Sequence, residues 1–154
     1  MIQKMLKTDA AISTIIIRLM AGAVFLSEGL QKFLFPAVRG AGRFAKMGFP
    51  APEFFSTFVG FFEILAALLI LLGLFTRAGA LFTLVIMTVA IFVTKIPIAL
   101  GHSCGPFVLR QLGTYGFWSM AHEMRTDFAM WLASLFLLLK GGGRWSIDRK
   151  IVHT

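Results

Sequence analysis

The chain has 154 residues, of which 58% are hydrophobic and only 14% are charged, and its mean hydropathy is +0.84. Soluble domains contain roughly 45–50% apolar residues, and so few charges can cover a protein of this size only if much of its exterior faces lipid. The composition therefore excludes an ordinary soluble domain and predicts a single membrane domain over residues 1–154.

The net charge of +8 comes from Lys and Arg residues that lie in the tails and between the apolar runs. This distribution is typical of contact with anionic lipid headgroups. It excludes a nucleic-acid-binding protein, which would need a soluble basic face. The single cysteine, Cys104, excludes an internal disulfide and any CxxC pair within this chain.

The first predicted membrane helix spans residues 12–35, and no small-residue cleavage site follows it, so we expect it to be retained. About 20 apolar residues are needed to cross the hydrocarbon layer. The loop after it contains a short amphipathic piece around Arg43 to Met47, which ends at Pro50 and Pro52. We expect that piece to lie along the membrane surface.

Three further helices are predicted, over residues 54–75, 78–96 and 122–140, followed by a basic C-terminal tail over 141–154. The turn between the second and third is so short that these helices must be antiparallel neighbours. The fold is therefore predicted to be all-α, an integral membrane four-helix bundle with a short amphipathic helix in its first loop. With four spans both tails share one side, and its small excess of Lys and Arg favours the cytoplasm.

The ionisable groups of the apolar segments converge on one half of the bilayer. Counting about 1.5 Å per residue puts Glu28 roughly 10 Å and Glu63 roughly 13 Å from the surface opposite the tails. Lys32, Lys95 and Asp127 belong to the same half, and only Arg18 lies in the other. Small residues share the helix faces of both acids, which predicts that these faces point into the bundle.

Glu63 is a better candidate for a functional residue than Glu28, because placing a carboxyl in the middle of a membrane costs roughly 2.5–3.5 kcal/mol of insertion free energy. Burial favours its neutral, proton-carrying form unless a cation is at hand. A structural alternative stays open, in which Glu28 pairs with Lys32 one turn away and Glu63 is protonated or pairs with a cation of a neighbouring helix. Such groups would only set the register of the helices.

A metal site has little support in the sequence. Its weak candidate ligands are His102, Cys104, His122 and Glu123. Imidazole, thiolate and carboxylate all bind metals, but no paired spacing such as CxxC or HExxH occurs. We therefore predict no metal.

Four segments resemble the DoxX family of small bacterial membrane proteins: RLMAGAVFLSEGLQK at 18–32, FAKMGFPAPEF at 44–54, GFFEILAALLILLGLFTRAGAL at 60–81 and GGGRWSID at 141–148. The resemblance implies a four-helix bundle in the bacterial cytoplasmic membrane and a link to membrane redox systems. Matching positions include Arg18, Lys32, Glu63 and Asp148, and more loosely Asp127. The long loop with His102 and Cys104 departs from the shorter family pattern.

We therefore expect a membrane component of a redox system that holds a quinone or a small oxidisable molecule in a polar crevice. Glu63 would exchange the proton, and Glu28, Lys32, Asp127 and Arg18 would bind the molecule. No residue of this chain carries electrons over distance, so a redox partner subunit is implied, and a homo-oligomer is the other expected assembly. The alternatives are a proton-linked transporter of small solutes and a membrane assembly or scaffold partner.

Overall fold

The computed structural model describes residues 8–9 and 11–152, and this part of the chain is helical and contains no strand. The helices are α1 (Thr14–Leu34), α2 (Ala41–Lys46), α3 (Pro52–Leu72), α4 (Thr76–Leu100), α5 (Phe117–Lys140) and α6 (Ile147–Val152). The predicted all-α membrane bundle is confirmed, and α2 is the short helix expected in the first loop.

The four long helices form a closed ring. Helix α1 packs against α3, α3 against α4, α4 against α5, and α5 back against α1, while α2 packs on α3. The core cluster draws on all four long helices and is rich in alanine: Ala21, Phe25, Ala67, Ile70, Ala80, Met130, Ala133 and Leu137. Small side chains let helices approach closely. In lipid the hydrophobic effect does not drive helices together, so close van der Waals packing has to stabilise their association.

Within the described residues, α1, α3 and α4 are long and apolar enough to cross a membrane, judged by length and composition. Their outward faces expose large apolar side chains, for example Ile16, Leu34 and Phe92. Helix α5 has 24 residues, about 36 Å of helix, but its first three turns carry Glu123, Arg125 and Asp127. It completes the ring with its apolar second half.

Two helices are longer than the hydropathy indicates. Helix α4 continues through Pro97 to Leu100, and ends where Gly101 adopts a φ of 74° and donates its N–H to the Pro97 carbonyl at 2.8 Å. A proline in the last turn can be tolerated, and the left-handed glycine is a standard helix end. Helix α5 begins at Phe117 after Gly116, whose φ is 110°, so its polar turns are helical as well.

The start of α1, the end of α5 and the α3–α4 turn lie on one side of the bundle, which we call the tail end. Arg18, which is 3% exposed, lies at this end, and its guanidinium bonds to backbone carbonyls of two separate segments. It donates to the carbonyls of Ile70 at 2.8 Å, Leu71 at 2.6 Å and Gly142 at 3.1 Å, and to that of Trp145. The last carbonyls of a helix have no partner within it, so Arg18 satisfies the end of α3.

Asp148 of α6 fastens the C-terminal segment to the α3–α4 turn. Its carboxylate accepts the N–H of Phe75 at 2.6 Å, and the N–H and hydroxyl of Thr76, both at 2.9 Å. Its own N–H donates to the Gly73 carbonyl at 2.8 Å. A carboxylate at a helix N-terminus satisfies free N–H groups and complements the helix dipole. The tail after α5 is therefore a cap on α4.

We expect Asp148→Asn to destabilise the bundle by about 1–3 kcal/mol, because a buried acceptor of three hydrogen bonds loses its charge. The matched control is Glu53→Gln, which removes a carboxylate from the first turn of α3, where the side chain is exposed. Thermal unfolding in detergent compares the two. Equal effects of both substitutions would show that the cap contributes nothing beyond its charge.

Candidate functional site

The opposite side of the bundle, where α1 and α4 end and α3 and α5 begin, is called here the charged end. Its central feature is the ion pair between Lys32 Nζ and Glu63 Oε2, 2.5 Å apart, with side-chain exposures of 10% and 4%. Glu63 lies about 16 Å along α3 from its first residue. The pair therefore joins α1 to α3 inside the apolar part of the bundle.

Two glycines make this contact possible. A Cβ added at Gly29 would lie 3.0 Å from the Gly60 carbonyl oxygen and 3.1 Å from Glu63 Cβ. A Cβ added at Gly60 would lie 3.3 Å from Lys32 Cβ. Glycines on facing helices let the backbones approach, and this approach brings the Lys32 ammonium to the Glu63 carboxylate. The predicted inward face of α3, with Gly60, Glu63 and Ala67, is buried as expected.

Glu28 has a different environment from the one its spacing suggested. The Lys32 ammonium reaches the backbone carbonyl of Glu28 at 3.3 Å, and not its carboxylate. In the part of the chain that the structure describes, the Glu28 carboxylate has no ion-pair partner, and the side chain is half-buried.

Asp127 belongs to a second pair at the charged end. Its carboxylate lies 2.8 Å from Lys95 Nζ, with side-chain exposures of 28% and 10%. The pair joins the third turn of α5 to α4, five residues before the last residue of α4. Lys95 is a partner that the sequence places in the same half of the bilayer without assigning it a role. The four groups therefore form two interhelical pairs, Lys32–Glu63 and Lys95–Asp127.

Arg18 is the predicted binding residue that the structure does not bring to this cluster. It lies at the tail end, and its guanidinium is occupied by backbone carbonyls. Its role in binding a small molecule stays a prediction.

The weak metal candidates are dispersed. Among residues 8–9 and 11–152 there is no group of three His, Cys, Asp or Glu side chains that could hold a metal ion. His102 Nδ1 lies 3.0 Å from the Ser103 carbonyl, and Glu123 pairs with Arg110 at 2.9 Å. Cys104 is half-buried in the long loop, and the side chain of His122 is exposed on α5.

Two concave surfaces at the charged end were missed by the sequence reasoning. One is a cavity of about 680 Å³ between α2, the end of α4 and the long loop, with Arg39, Arg43 and Lys46 in its wall. The spacing of these three cations, i, i+4 and i+7, was the available signal. The other is an open apolar groove of about 350 Å³ between α1 and α3, lined by Phe33, Phe54, Thr57, Phe58 and Phe61.

Comparison with known proteins places these residues in context. The DoxX family profile matches residues 13–96, which include both members of the Lys32–Glu63 pair. An uncharacterized membrane protein of Mycobacterium tuberculosis (strain ATCC 25618 / H37Rv) is 46% identical over 148 residues, covering 96% of this chain and 86% of that protein. No solved structure matches the chain.

The Lys32–Glu63 contact predicts non-additive effects on stability. Lys32→Met and Glu63→Gln are each expected to destabilise the bundle by about 3 kcal/mol, because each leaves a buried polar partner uncompensated. The double variant should lose less than the sum, with a coupling of about 1–3 kcal/mol. Thermal unfolding of the four proteins in detergent measures this.

The control cycle combines Lys32→Met with Glu28→Gln. Because the Glu28 carboxylate does not contact the ammonium, its coupling should be much smaller. A larger coupling to Glu28 than to Glu63 would contradict the observed pairing.

Proposed function

The chain belongs to the DoxX family, and on this premise we propose that it is the membrane component of a redox system. Glu63 exchanges a proton with a quinone or another small oxidisable molecule that binds at the charged end. The observation that carries the proposal is the buried ion pair between Lys32 and Glu63.

An acid and an amine in direct contact, away from water, are suited to moving a proton. Burial disfavours the charged form of both groups, while their mutual attraction favours it. Passage of one proton from Lys32 to Glu63 turns two charges into two neutral groups. The opposing energies therefore make the pair sensitive to a third charge or to a bound molecule that takes up or releases a proton.

The chemistry needs electrons as well as protons. A quinone takes up two electrons and two protons to become a quinol, and each proton taken from Glu63 must be replaced from water. Glu28, half-buried at a similar depth on α1, is our candidate for that resupply. We assign the two electrons to a partner subunit that carries a flavin, haem or metal centre, since this chain has no motif for attaching one.

The apolar groove between α1 and α3 is the binding surface we propose for the quinone ring. Phe33 in its wall directly follows Lys32 in the chain, and the remaining lining residues lie on α3, on the turns before Glu63. Aromatic side chains bind flat rings by offset or edge contacts. An open groove on the lipid side also suits a molecule that arrives through the membrane.

We further propose that the protein resides in the bacterial cytoplasmic membrane with both termini in the cytoplasm. An alkaline phosphatase fused to the C-terminus should be inactive, because that enzyme needs the oxidising exterior, while a fluorescent protein fused there should be bright. The reverse pattern would overturn the orientation and leave the fold unaffected.

The proton-exchange proposal predicts that Glu63→Gln keeps quinone binding but lowers quinone reduction. Amide and carboxyl have the same shape, whereas removal of a general acid–base group costs about 10²–10⁴-fold in rate. Binding is measured by quenching of tryptophan fluorescence and by mass spectrometry of co-purified quinone. Reduction is measured in membranes that contain the native partners.

Glu53→Gln is the matched control, since it removes an exposed carboxylate of α3 outside the ion pair and should leave quinone reduction unchanged. If wild type neither carries quinone nor binds it when added, the redox proposal fails. Proton-dependent uptake of a solute into proteoliposomes would then favour the transporter. If Glu63→Gln supports normal quinone reduction, Glu63 only holds the helices in register.

A further inference from the structure

The cavity between α2, the end of α4 and residues 108–111 has the composition of an anion site. Its volume of about 680 Å³ is within the roughly 300–1,000 Å³ of small-molecule sites. Its wall contains five cations and no acidic residue: Arg39, Arg43, Lys46, Lys95 and Arg110. We propose that this cavity binds a phosphate group, carried there by the headgroup of an anionic lipid.

Three of the five charges are not neutralised within the described part of the chain. Lys95 and Arg110 have acidic partners on α5, at 2.8 Å and 2.9 Å. The side chains of Arg39, Arg43 and Lys46 have neither an ion pair nor a hydrogen bond to any residue of that part. Like charges around one concavity repel each other, so the cavity is most stable with an anion inside.

The chemistry of these side chains favours phosphate among anions. Two are guanidinium groups, whose planar donors match two phosphate oxygens at once, and the third is an ammonium that contributes a point charge. Glu63, the buried carboxylate of α3, is already paired with Lys32. Among the described residues, therefore, no carboxylate pairs with Arg39, Arg43 or Lys46.

The position of the cavity favours a lipid as the source of the phosphate. Its cations lie around the end of α4, a helix long and apolar enough to cross a membrane. The ends of such a helix are expected where headgroups meet hydrocarbon. Val93 and Ile98 give it an apolar wall, and Val38 and Val108 stay 69% and 54% exposed at its rim. Free phosphate would use the cations equally well but would leave this apolar surface wet.

The test uses the full chain in a neutral detergent and native mass spectrometry with three probes: phosphatidylglycerol, phosphatidylcholine and inorganic phosphate. We expect one tightly bound phosphatidylglycerol and weaker binding of phosphatidylcholine. Arg43→Gln should weaken phosphatidylglycerol about fivefold, and the Arg39→Gln, Lys46→Gln double variant about 25-fold. Because these side chains have no partners in the described structure, the variants are expected to fold.

Arg125→Gln is the matched control, since it removes an exposed arginine of the same end. Its guanidinium donates to the His122 carbonyl within α5 and has no ion-pair partner among the described residues. It should leave lipid binding unchanged. If inorganic phosphate alone displaces the lipid, and the cavity variants lose its binding too, the phosphate site stands and its source is free phosphate. Equal binding of both lipids, or no effect of the cavity variants, overturns the proposal.

The lipid proposal and the proton-exchange proposal fail separately. Neither Lys32 nor Glu63 lines the cavity, and the lipid assay involves no redox partner. If the protein binds phosphatidylglycerol as described but binds no quinone, the phosphate site is supported and the proton-exchange proposal fails. If it binds and reduces quinone but does not prefer phosphatidylglycerol, the proton-exchange proposal is supported and the phosphate site fails.

Discussion

Glu63 can be buried between two membrane helices because Lys32 reaches it, and Lys32 reaches it because α1 and α3 approach closely at Gly29 and Gly60. An ionised carboxylate alone in an apolar interior costs several kcal/mol. The pair reduces that cost only at contact distance, which a bulkier residue at either glycine would prevent. At the Lys32–Glu63 contact, the burial of the carboxylate therefore depends on its pairing with the ammonium, and the pairing depends on the close approach of α1 and α3.

The two ends of the bundle satisfy their polar groups in different ways. At the tail end, Arg18 and Asp148 bind backbone groups of the α3–α4 turn and the C-terminal segment. Such contacts complete helix ends and leave little capacity for another partner. At the charged end, side chains pair with side chains across helices, and Arg39, Arg43 and Lys46 have no hydrogen-bond or ion-pair partner among the described residues. Binding of small molecules or lipids is thus more compatible with the charged end.

Membership of the family restricts the range of possible functions less than the geometry of the charged end does. The family match ends at residue 96, so it includes Arg18, Lys32, Glu63 and Lys95 but neither Asp127 nor Asp148. A shared fold supports many activities, and a function has to be argued from the groups at a site. The redox assignment accordingly depends on whether the Lys32–Glu63 pair exchanges protons with a bound molecule.

The sequence by itself determined the all-α fold, the order of the four long helices and the antiparallel neighbours α3 and α4. Hydropathy reports contact with lipid, the rise per residue is constant, and a short turn forces its helices to be neighbours. Helical spacing also placed Glu63 on the inner face of α3, because small residues recur on that face. These properties are local, so the tertiary structure did not change them.

Only the tertiary structure decided which charges meet. The i+4 spacing favoured Glu28 as the partner of Lys32, yet the ammonium crosses to Glu63, since the close approach of α1 and α3 puts a buried carboxylate within reach. The carbonyl ligands of Arg18 and the cap by Asp148 likewise depend on how a distant tail folds back. The basic cavity exists only where α2, α4 and the long loop come together. Contacts between distant segments depend on interhelical distance and register, which sequence spacing along one helix does not encode.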